Sequence, residues 1–188
     1  MRLDVDEDGV RGAFMQDMNE RVTLGATDIE VSPLGIGTWA WGDRLVWGYG
    51  QSYTDADLRE IFEVTLAMGV NFFDTAEVYG LGRSETLLGQ FIRETQDCAP
   101  HADGSGDVEH SHKREAEGQY PSRPLVATKF MPFPWRWGKK ALLRALRKSL
   151  DRLRLTYVDL YQIHWPTPLV AVETWMDALA DAVEAGLV

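Results

Sequence analysis

The sequence is poor in the features that mark secreted and membrane proteins. Its 188 residues include one cysteine, Cys98, so an internal disulfide cannot form and no oxidising compartment is required. No apolar run approaches the roughly 18–20 residues that span a bilayer, so no membrane association is predicted. No apolar segment follows a basic start, and no serine precedes Ser32, so no leader is expected. We predict a cytoplasmic protein, with the chloroplast as the alternative if a transit segment is missing from this chain.

Acidic residues outnumber basic ones, and the formal net charge is −10. Much of the excess lies in residues 1–20 and 96–121, each of which contains six acidic and two basic side chains. We interpret residues 1–20 as a flexible acidic tail. Residues 96–121 are interpreted as an inserted loop, because so long an unstructured run is unusual inside a compact domain. His110 and His112 lie in this loop without a scaffold to fix metal ligands, so no metal site is predicted.

A basic stretch occupies residues 139–154, where seven basic side chains accompany one acid, Asp151. The basic residues lie opposite a leucine stripe, which indicates the solvated face of an amphipathic helix. The stripe consists of Leu143, Leu146, Leu150 and Leu153. A basic patch is also what a nucleic-acid site needs, but the helical pattern explains this one, and no nucleic-acid partner is predicted.

Hydrophobic periodicity predicts an α/β fold. Residues 21–34 form two short alternating runs around a turn that contains Gly and Asp, which predicts a β-hairpin. The pattern then changes to a strand followed by an amphipathic helix, and this unit occurs four times, as is typical of parallel βα structures. The predicted strands are residues 34–40, 70–74, 125–129 and 158–164. Four units make about half of a TIM-type (β/α)8 barrel of roughly 250 residues, so the barrel is predicted to be truncated.

Apolar spacing also predicts which helix faces are buried, because positions three and four residues apart share one face. A capping box formed by Thr54 and Asp57 is expected to start the first helix, and Ser84 to cap the second. The predicted stripe of the first helix comprises Leu58, Ile61, Phe62, Thr65 and Leu66. That of the fourth comprises Val172, Trp175, Met176, Leu179 and Val183.

Four polar side chains stand at or just beyond the carboxyl ends of the predicted strands, where parallel barrels place catalytic groups. They are Asp74, Tyr79, Lys129 and His164. A phenol is a weak proton donor that titrates at about pH 10 in water, but a neighbouring ammonium group stabilises its ionised form. An aspartate keeps such a lysine charged, and a histidine orients a carbonyl oxygen. The set suits protonation of an oxygen while hydride reaches the carbon, and the hydride requires a nicotinamide cofactor.

Several sequence blocks resemble one enzyme family in order along the chain. Residues 73–80 read FDTAEVYG and are followed by GRSE at 82–85 and LLG at 87–89, which looks like the signature of the aldo-keto reductases. Other landmarks of that family resemble GIGTW at 35–39, ATK at 127–129 and QIHWP at 162–166. The likeness covers residues 21–188. It implies a (β/α)8 barrel closed at its bottom by the N-terminal hairpin.

The resemblance also implies an activity and a set of roles. The activity is NADP-dependent reduction of an aldehyde or a ketone to an alcohol by hydride transfer. By the same resemblance Tyr79 is the proton donor, Lys129 and Asp74 tune it, and His164 orients the substrate carbonyl. Residues 21–188 are therefore expected to be the N-terminal part of an oxidoreductase domain of this family.

Ligand contacts follow from the same likeness. We expect NADP(H) to contact Gly37, Thr38 and Asp74, and the partner to be a small-molecule carbonyl compound. Residues expected to border that substrate are Trp39, Tyr79, His164 and Trp165. The chain has no Gly-x-Gly-x-x-Gly fingerprint, which excludes a Rossmann-type cofactor site. No metal is expected.

Two other functions remain open on the sequence. Lys129 is also the kind of residue that forms a Schiff base in lyases, although a lysine paired with a carboxylate is a poor nucleophile. The half-barrel is alternatively a non-catalytic binding or assembly module. Borohydride trapping with a carbonyl substrate separates the lyase from the reductase.

Overall fold

The structure is a computed structural model that describes residues 20–97, 123–165 and 169–188. The predicted tail except residue 20, and the predicted insertion except residues 96 and 97, lie outside the described residues, as do His110 and His112. Residues 96 and 97 belong to a helix that ends at Asp97, so that helix continues two residues past the predicted boundary. Within the described ranges, no cluster of acidic, histidine or cysteine side chains is arranged to hold a metal ion.

The hairpin predicted for residues 21–34 is present. Strands β1 (Val22–Thr23) and β2 (Glu30–Val31) pair antiparallel around a tight turn. Asn71 ties this hairpin to the rest of the fold, because its side-chain amide donates to Glu30 O at 3.0 Å and its Oδ1 accepts the Ser32 N–H at 2.7 Å. The side chain of one asparagine thus fixes the hairpin next to the parallel sheet.

Four parallel strands follow in sequential order, which confirms the predicted α/β class and corresponds to part of a barrel wall. They are β3 (Ile36–Gly37), β4 (Phe72–Asp74), β5 (Leu125–Phe130) and β6 (Leu160–Ile163). The first is much shorter than the predicted strand 34–40. The chain turns immediately after it, since the Trp41 N–H donates to Thr38 O at 2.9 Å.

Each of these four strands is followed along the chain by a helix. The helices are α1 (Asp55–Ala67), α2 (Arg83–Asp97), α3 (Gly138–Leu153) and α4 (Val172–Glu184). The capping box of α1 is confirmed, with the Thr54 N–H donating to Asp57 Oδ2 at 2.7 Å. The cap predicted at Ser84 is wrong, because α2 begins at Arg83 and the Ser84 hydroxyl bonds to Thr38 Oγ1 at 2.7 Å instead.

The hydrophobic core lies between the sheet and the helices. The two central helices, α2 and α3, contribute a regular series of buried side chains to it. Leu146, Leu150 and Leu153 of the predicted α3 stripe are buried, together with Leu142. The close approach of α2 and α3 requires Gly89, because a Cβ at that position would lie 2.2 Å from Leu153 O. A larger residue at Gly89 would therefore push the two helices apart.

The predicted faces of the two end helices are partly wrong. Ile61 on α1 and Val172, Met176 and Val183 on α4 are each about half exposed or more. In α4 the predicted Trp175 is buried, and the other buried positions are two small residues outside the predicted stripe, Ala178 and Ala182. Hydrophobic periodicity identifies apolar positions but not the neighbours that bury them. Each end helix has a main helix neighbour on only one side within the described chain, so fewer of its apolar positions are covered.

An ion pair with a fully buried carboxylate lies between the central helices. Glu85 on α2 is fully buried, and its two carboxylate oxygens accept from Arg152 Nε and Thr128 Oγ1, both at 2.6 Å. These bonds compensate for the desolvation of the carboxylate, so α2, α3 and β5 are tied together by one side chain. No helix in the described part of the chain is long and apolar enough to cross a membrane.

Candidate active site

The sheet topology brings three predicted site residues to one edge. Asp74 is the last residue of β4, Lys129 is the penultimate residue of β5, and His164 directly follows β6. Neighbouring parallel strands end at the same side of a sheet, and the His164 N–H continues the ladder by donating to Phe130 O at 2.9 Å. Sequence positions that are far apart therefore form one group.

Lys129 is the most constrained member of that group. Its Nζ lies 2.6 Å from Asp74 Oδ2 and donates to the Thr75 carbonyl oxygen at 2.8 Å. The lysine side chain is mostly buried, whereas the Asp74 carboxylate is partly exposed. The cation is thus paired and hydrogen-bonded, as a buried charge must be.

Tyr79 completes the predicted set of four. It begins a short 3₁₀ turn, Tyr79–Gly82, and the Lys129 ammonium lies 5.0 Å from the centre of its ring. The rings of Tyr79 and His164 meet edge to face, with centroids 5.5 Å apart and planes at 85°. The structure therefore brings Asp74, Tyr79, Lys129 and His164 together.

The surroundings of His164 favour its neutral imidazole form. Burial lowers its pKa below the ordinary histidine value, and the nearby Lys129 ammonium lowers the pKa further. Its Nδ1 is buried and has no hydrogen-bond partner among the described residues. A neutral imidazole carries one N–H donor and one acceptor nitrogen, which suits it to hydrogen-bond a substrate oxygen.

Tryptophans form walls beside this group. Trp39 lies against the Tyr79 ring at 6.4 Å and packs edge to face on Trp47 at 5.5 Å. Trp165 stacks on His164 with 6.1 Å between centroids. Trp39, Trp47 and Trp165 are all substantially exposed, so their apolar faces are open to a ligand.

The match to known proteins agrees with this geometry. A model of the Aldo/keto reductase family matches residues 33–188. The chain belongs to the aldo-keto reductase family. It is 40% identical over 177 residues to the chloroplastic pyridoxal reductase of Arabidopsis thaliana, an alignment that covers 90% of this chain and 42% of that protein. It is 30% identical over 174 residues to aldo-keto reductase YhdN of Bacillus subtilis, covering 89% of this chain and 44% of YhdN.

Solved aldo-keto reductases have the same fold. The thermostable aldo-keto reductase Tm1743, crystallised with the inhibitor epalrestat, superposes with a TM-score of 0.65 at 30% identity, covering 89% of this chain and 51% of that one. An aldo-keto reductase of Klebsiella pneumoniae in complex with NADPH gives a TM-score of 0.60 at 25% identity, covering 84% and 43%. This aldo-keto reductase chain therefore spans about half the length of the relatives it matches.

A buried carboxylate that the sequence reasoning missed holds the Tyr79 loop. Glu77 accepts from the Met131 N–H at 2.7 Å and from the Arg136 guanidinium at 2.5 Å, and its side chain is 6% exposed. Glu77 therefore fastens the loop that carries Tyr79 to the segment that follows Lys129. No sequence pattern predicts this pair, because Glu77 and Arg136 are 59 positions apart and only the fold brings them together.

Backbone conformation also shapes the Tyr79 loop. Gly80 has φ +54°, and a Cβ at that position would lie 2.8 Å from the Gly42 backbone. The next residue, Leu81, also has a positive φ, 57°, and its side chain is almost fully exposed. Gly80 thus permits both the left-handed turn and the close approach of residues 41 and 42.

The predicted cofactor contacts lie at the same end of β3. A Cβ at Gly37 would meet no atom within 4 Å, so open space adjoins this residue. Thr38 is fully buried, and its hydroxyl is engaged with Asp74 O at 3.1 Å and with Ser84. The structure therefore leaves space for a ligand next to Gly37. The cofactor contact of Thr38 stays a prediction, and its hydroxyl already bonds to Asp74 O and Ser84.

Proposed function

We propose that this chain carries the proton-donating half of an NADP-dependent carbonyl reductase site. The observation that supports the proposal is the position of the Lys129 ammonium, held by Asp74 at 2.6 Å and lying 5.0 Å from the centre of the Tyr79 ring. A fixed cation beside a phenol stabilises the negative charge that forms when the phenol releases its proton.

Each side chain has one task in this mechanism. Tyr79 gives its hydroxyl proton to the oxygen of the aldehyde or ketone, and Lys129 stabilises the resulting phenolate. Asp74 keeps Lys129 in place. His164, neutral because burial lowers its pKa, donates a hydrogen bond that orients the same substrate oxygen.

NADP(H), when bound, supplies the hydride for the carbonyl carbon. The residues that fit its nicotinamide end are Gly37, which adjoins open space, and Asp74, whose carboxylate is partly exposed. Trp39 and Trp165 offer flat apolar faces beside the reacting groups. An aromatic aldehyde is therefore the favoured substrate class, and the relative named pyridoxal reductase points to the same class.

The lyase alternative receives less support from the geometry. A Schiff base requires an uncharged lysine amine, whereas Lys129 donates to both Asp74 and the Thr75 carbonyl oxygen. The binding or assembly module stays an alternative, because the chain spans about half of its relatives. Cytoplasmic localisation stays a prediction, and the chloroplastic relative favours the alternative location.

The test is NADPH-dependent reduction of pyridoxal by this chain joined to the C-terminal half of the pyridoxal reductase relative, followed as loss of NADPH absorbance. We expect Tyr79→Phe to lower turnover by about 10²–10⁴-fold, the usual contribution of general acid catalysis. Tyr157→Phe is the matched control, because Tyr157 is exposed and contacts Arg123 away from the four site residues. Near-normal turnover in Tyr79→Phe would refute the assignment of the proton donor.

Two further results separate the alternatives. Covalent capture of pyridoxal by borohydride in the wild-type chain, lost in Lys129→Met, would indicate a lyase. Absence of both reduction and capture in the folded, joined protein would favour the binding or assembly module.

A further inference from the structure

A cleft separate from the four site residues lies along α3. Its volume is about 440 Å³, and none of Asp74, Tyr79, Lys129 or His164 lines it. The lining residues are Trp135, Arg136, Trp137, Lys140, Arg144 and Lys148, with two alanines of α3 at the floor. Cavities of this size are typical of small-molecule sites.

All charged side chains that line the cleft are basic. Lys140, Arg144 and Lys148 follow one another at intervals of four residues, so they form a row about 12 Å long on one face of the helix. None of these three forms an ion pair with an acidic residue in the described ranges. The neighbouring Lys139, which is outside the cleft, faces Asp181 at 3.2 Å and Asp177 at 3.5 Å.

Two indole rings stand beside this row of cations. Trp135 is 73% exposed and Trp137 is 61% exposed, which is unusual for the largest apolar side chain. Phe133 supports Trp135 from one side, with parallel rings 4.9 Å apart. The Arg136 guanidinium lies over the Phe133 ring at 5.3 Å and is held by Glu77, so this wall of the cleft is fixed in place.

We propose that this cleft binds a phosphate ester that carries a planar aromatic group, as a nucleoside triphosphate does. The row of cations matches a chain of phosphates, because cations attract phosphate oxygens and form charge-assisted hydrogen bonds with them. The exposed indoles match the aromatic group, because bases stack on tryptophan faces. The site is additional to the reductase site and does not depend on that proposed function.

The probe is ATP, titrated at low ionic strength without any carbonyl substrate and followed by tryptophan fluorescence and by equilibrium dialysis. The chain carries a net charge of −10, which repels ATP, so saturable binding would have to come from a local positive site. We expect quenching that inorganic tripolyphosphate reverses and that weakens as salt is added. The absence of saturable ATP binding by the wild-type chain would overturn the proposal.

Variants test the location. Lys140→Gln combined with Arg144→Gln is expected to weaken ATP binding by about tenfold or more, because two charge-assisted contacts are lost. The matched control is Arg93→Gln combined with Arg147→Gln, which removes the same charge from exposed positions outside the cleft. All four positions lie on helix surfaces, and circular dichroism checks that the variants fold. An equal loss in both double variants would overturn the proposal, because binding would then follow net charge alone.

Competition experiments identify the source of the ligand. Displacement of ATP by NADP⁺ would indicate the nucleotide half of a dinucleotide, and failure to displace it would indicate a free nucleotide; both results support the site. Trp137→Leu is expected to weaken ATP binding while leaving tripolyphosphate binding unchanged. A glutamate-rich peptide that binds more tightly than ATP would overturn the small-molecule assignment in favour of an acidic protein partner.

Discussion

The two central helices and the two end helices use the same residue types in different surroundings. Between α2 and α3 the ion pair of Glu85 with Arg152 has a fully buried carboxylate, and the Arg152 side chain is 28% exposed. Between α1 and α2 the ion pair of Arg59 with Glu94 lies at the surface, with more than a third of each side chain exposed. Apolar side chains differ in the same way, since Leu146 is fully buried and Val183 is 56% exposed. The number of neighbouring elements therefore decides how strongly each side chain is constrained.

The ion pair of Glu85 with Arg152 gives one of the two largest expected effects on stability. Arg152→Met removes the partner of a fully buried carboxylate, and we expect a loss of about 3 kcal/mol in the free energy of unfolding. Urea unfolding followed by circular dichroism measures it. Arg59→Met is the control at the surface pair and is expected to change stability by about 0–1 kcal/mol. Equal effects of the two variants would contradict the distinction between central and end helices.

An apolar pair of variants tests the same distinction without charge. Leu146→Ala on α3 is expected to lower stability by about 2–5 kcal/mol, because it leaves a cavity in the core. Val183→Ala on α4 is expected to stay within about 0.5 kcal/mol of the wild type, since Val183 is mostly exposed. The same urea experiment applies. A large effect of Val183→Ala would show that the outer face of α4 is covered in solution.

The contact between the central helices is tested by a smaller change. Gly89→Ala places a Cβ against the Leu153 backbone, and we expect a loss of about 1–3 kcal/mol despite the better helix propensity of alanine. Gly37→Ala is the control, because its added Cβ meets no atom within 4 Å. Thermal unfolding compares the two. A stabilised Gly89→Ala variant would mean that α2 and α3 separate easily.

The smallest expected effect concerns the pH dependence of stability that arises from His164, the residue that follows β6. The pKa of His164 is lowered in the folded chain, mainly by burial, so the unfolded chain binds more protons below about pH 6.5. The contribution of His164 to the free energy of unfolding should therefore be fully present above that pH and decline as the pH falls below it. His164→Gln should make the decline shallower, as measured by urea midpoints across this pH range. An unchanged slope would show that His164 does not contribute to it.

Much of the candidate site was predictable from the sequence, for a topological reason. Once strands are assigned as parallel neighbours, Asp74, Lys129 and His164 must reach the same edge of the sheet, whatever the details of packing. The hairpin of residues 21–34 and the capping box at Thr54 were predictable because they depend on contacts between residues close in sequence. The length of β3 was not, since a turn that follows Thr38 ends it early.

The sequence by itself determined the α/β class, the strand order along the chain and the grouping of Asp74, Lys129 and His164, because these follow from local periodicity and strand ends. Tertiary structure alone decided that Glu77 pairs with Arg136 and Glu85 with Arg152. It also decided that Met176 and Val183 remain exposed, and that exposed tryptophans and basic side chains line one cleft on α3. Periodicity reports only the chemical character of a helix face, whereas burial and pairing depend on which distant residues come to lie beside it.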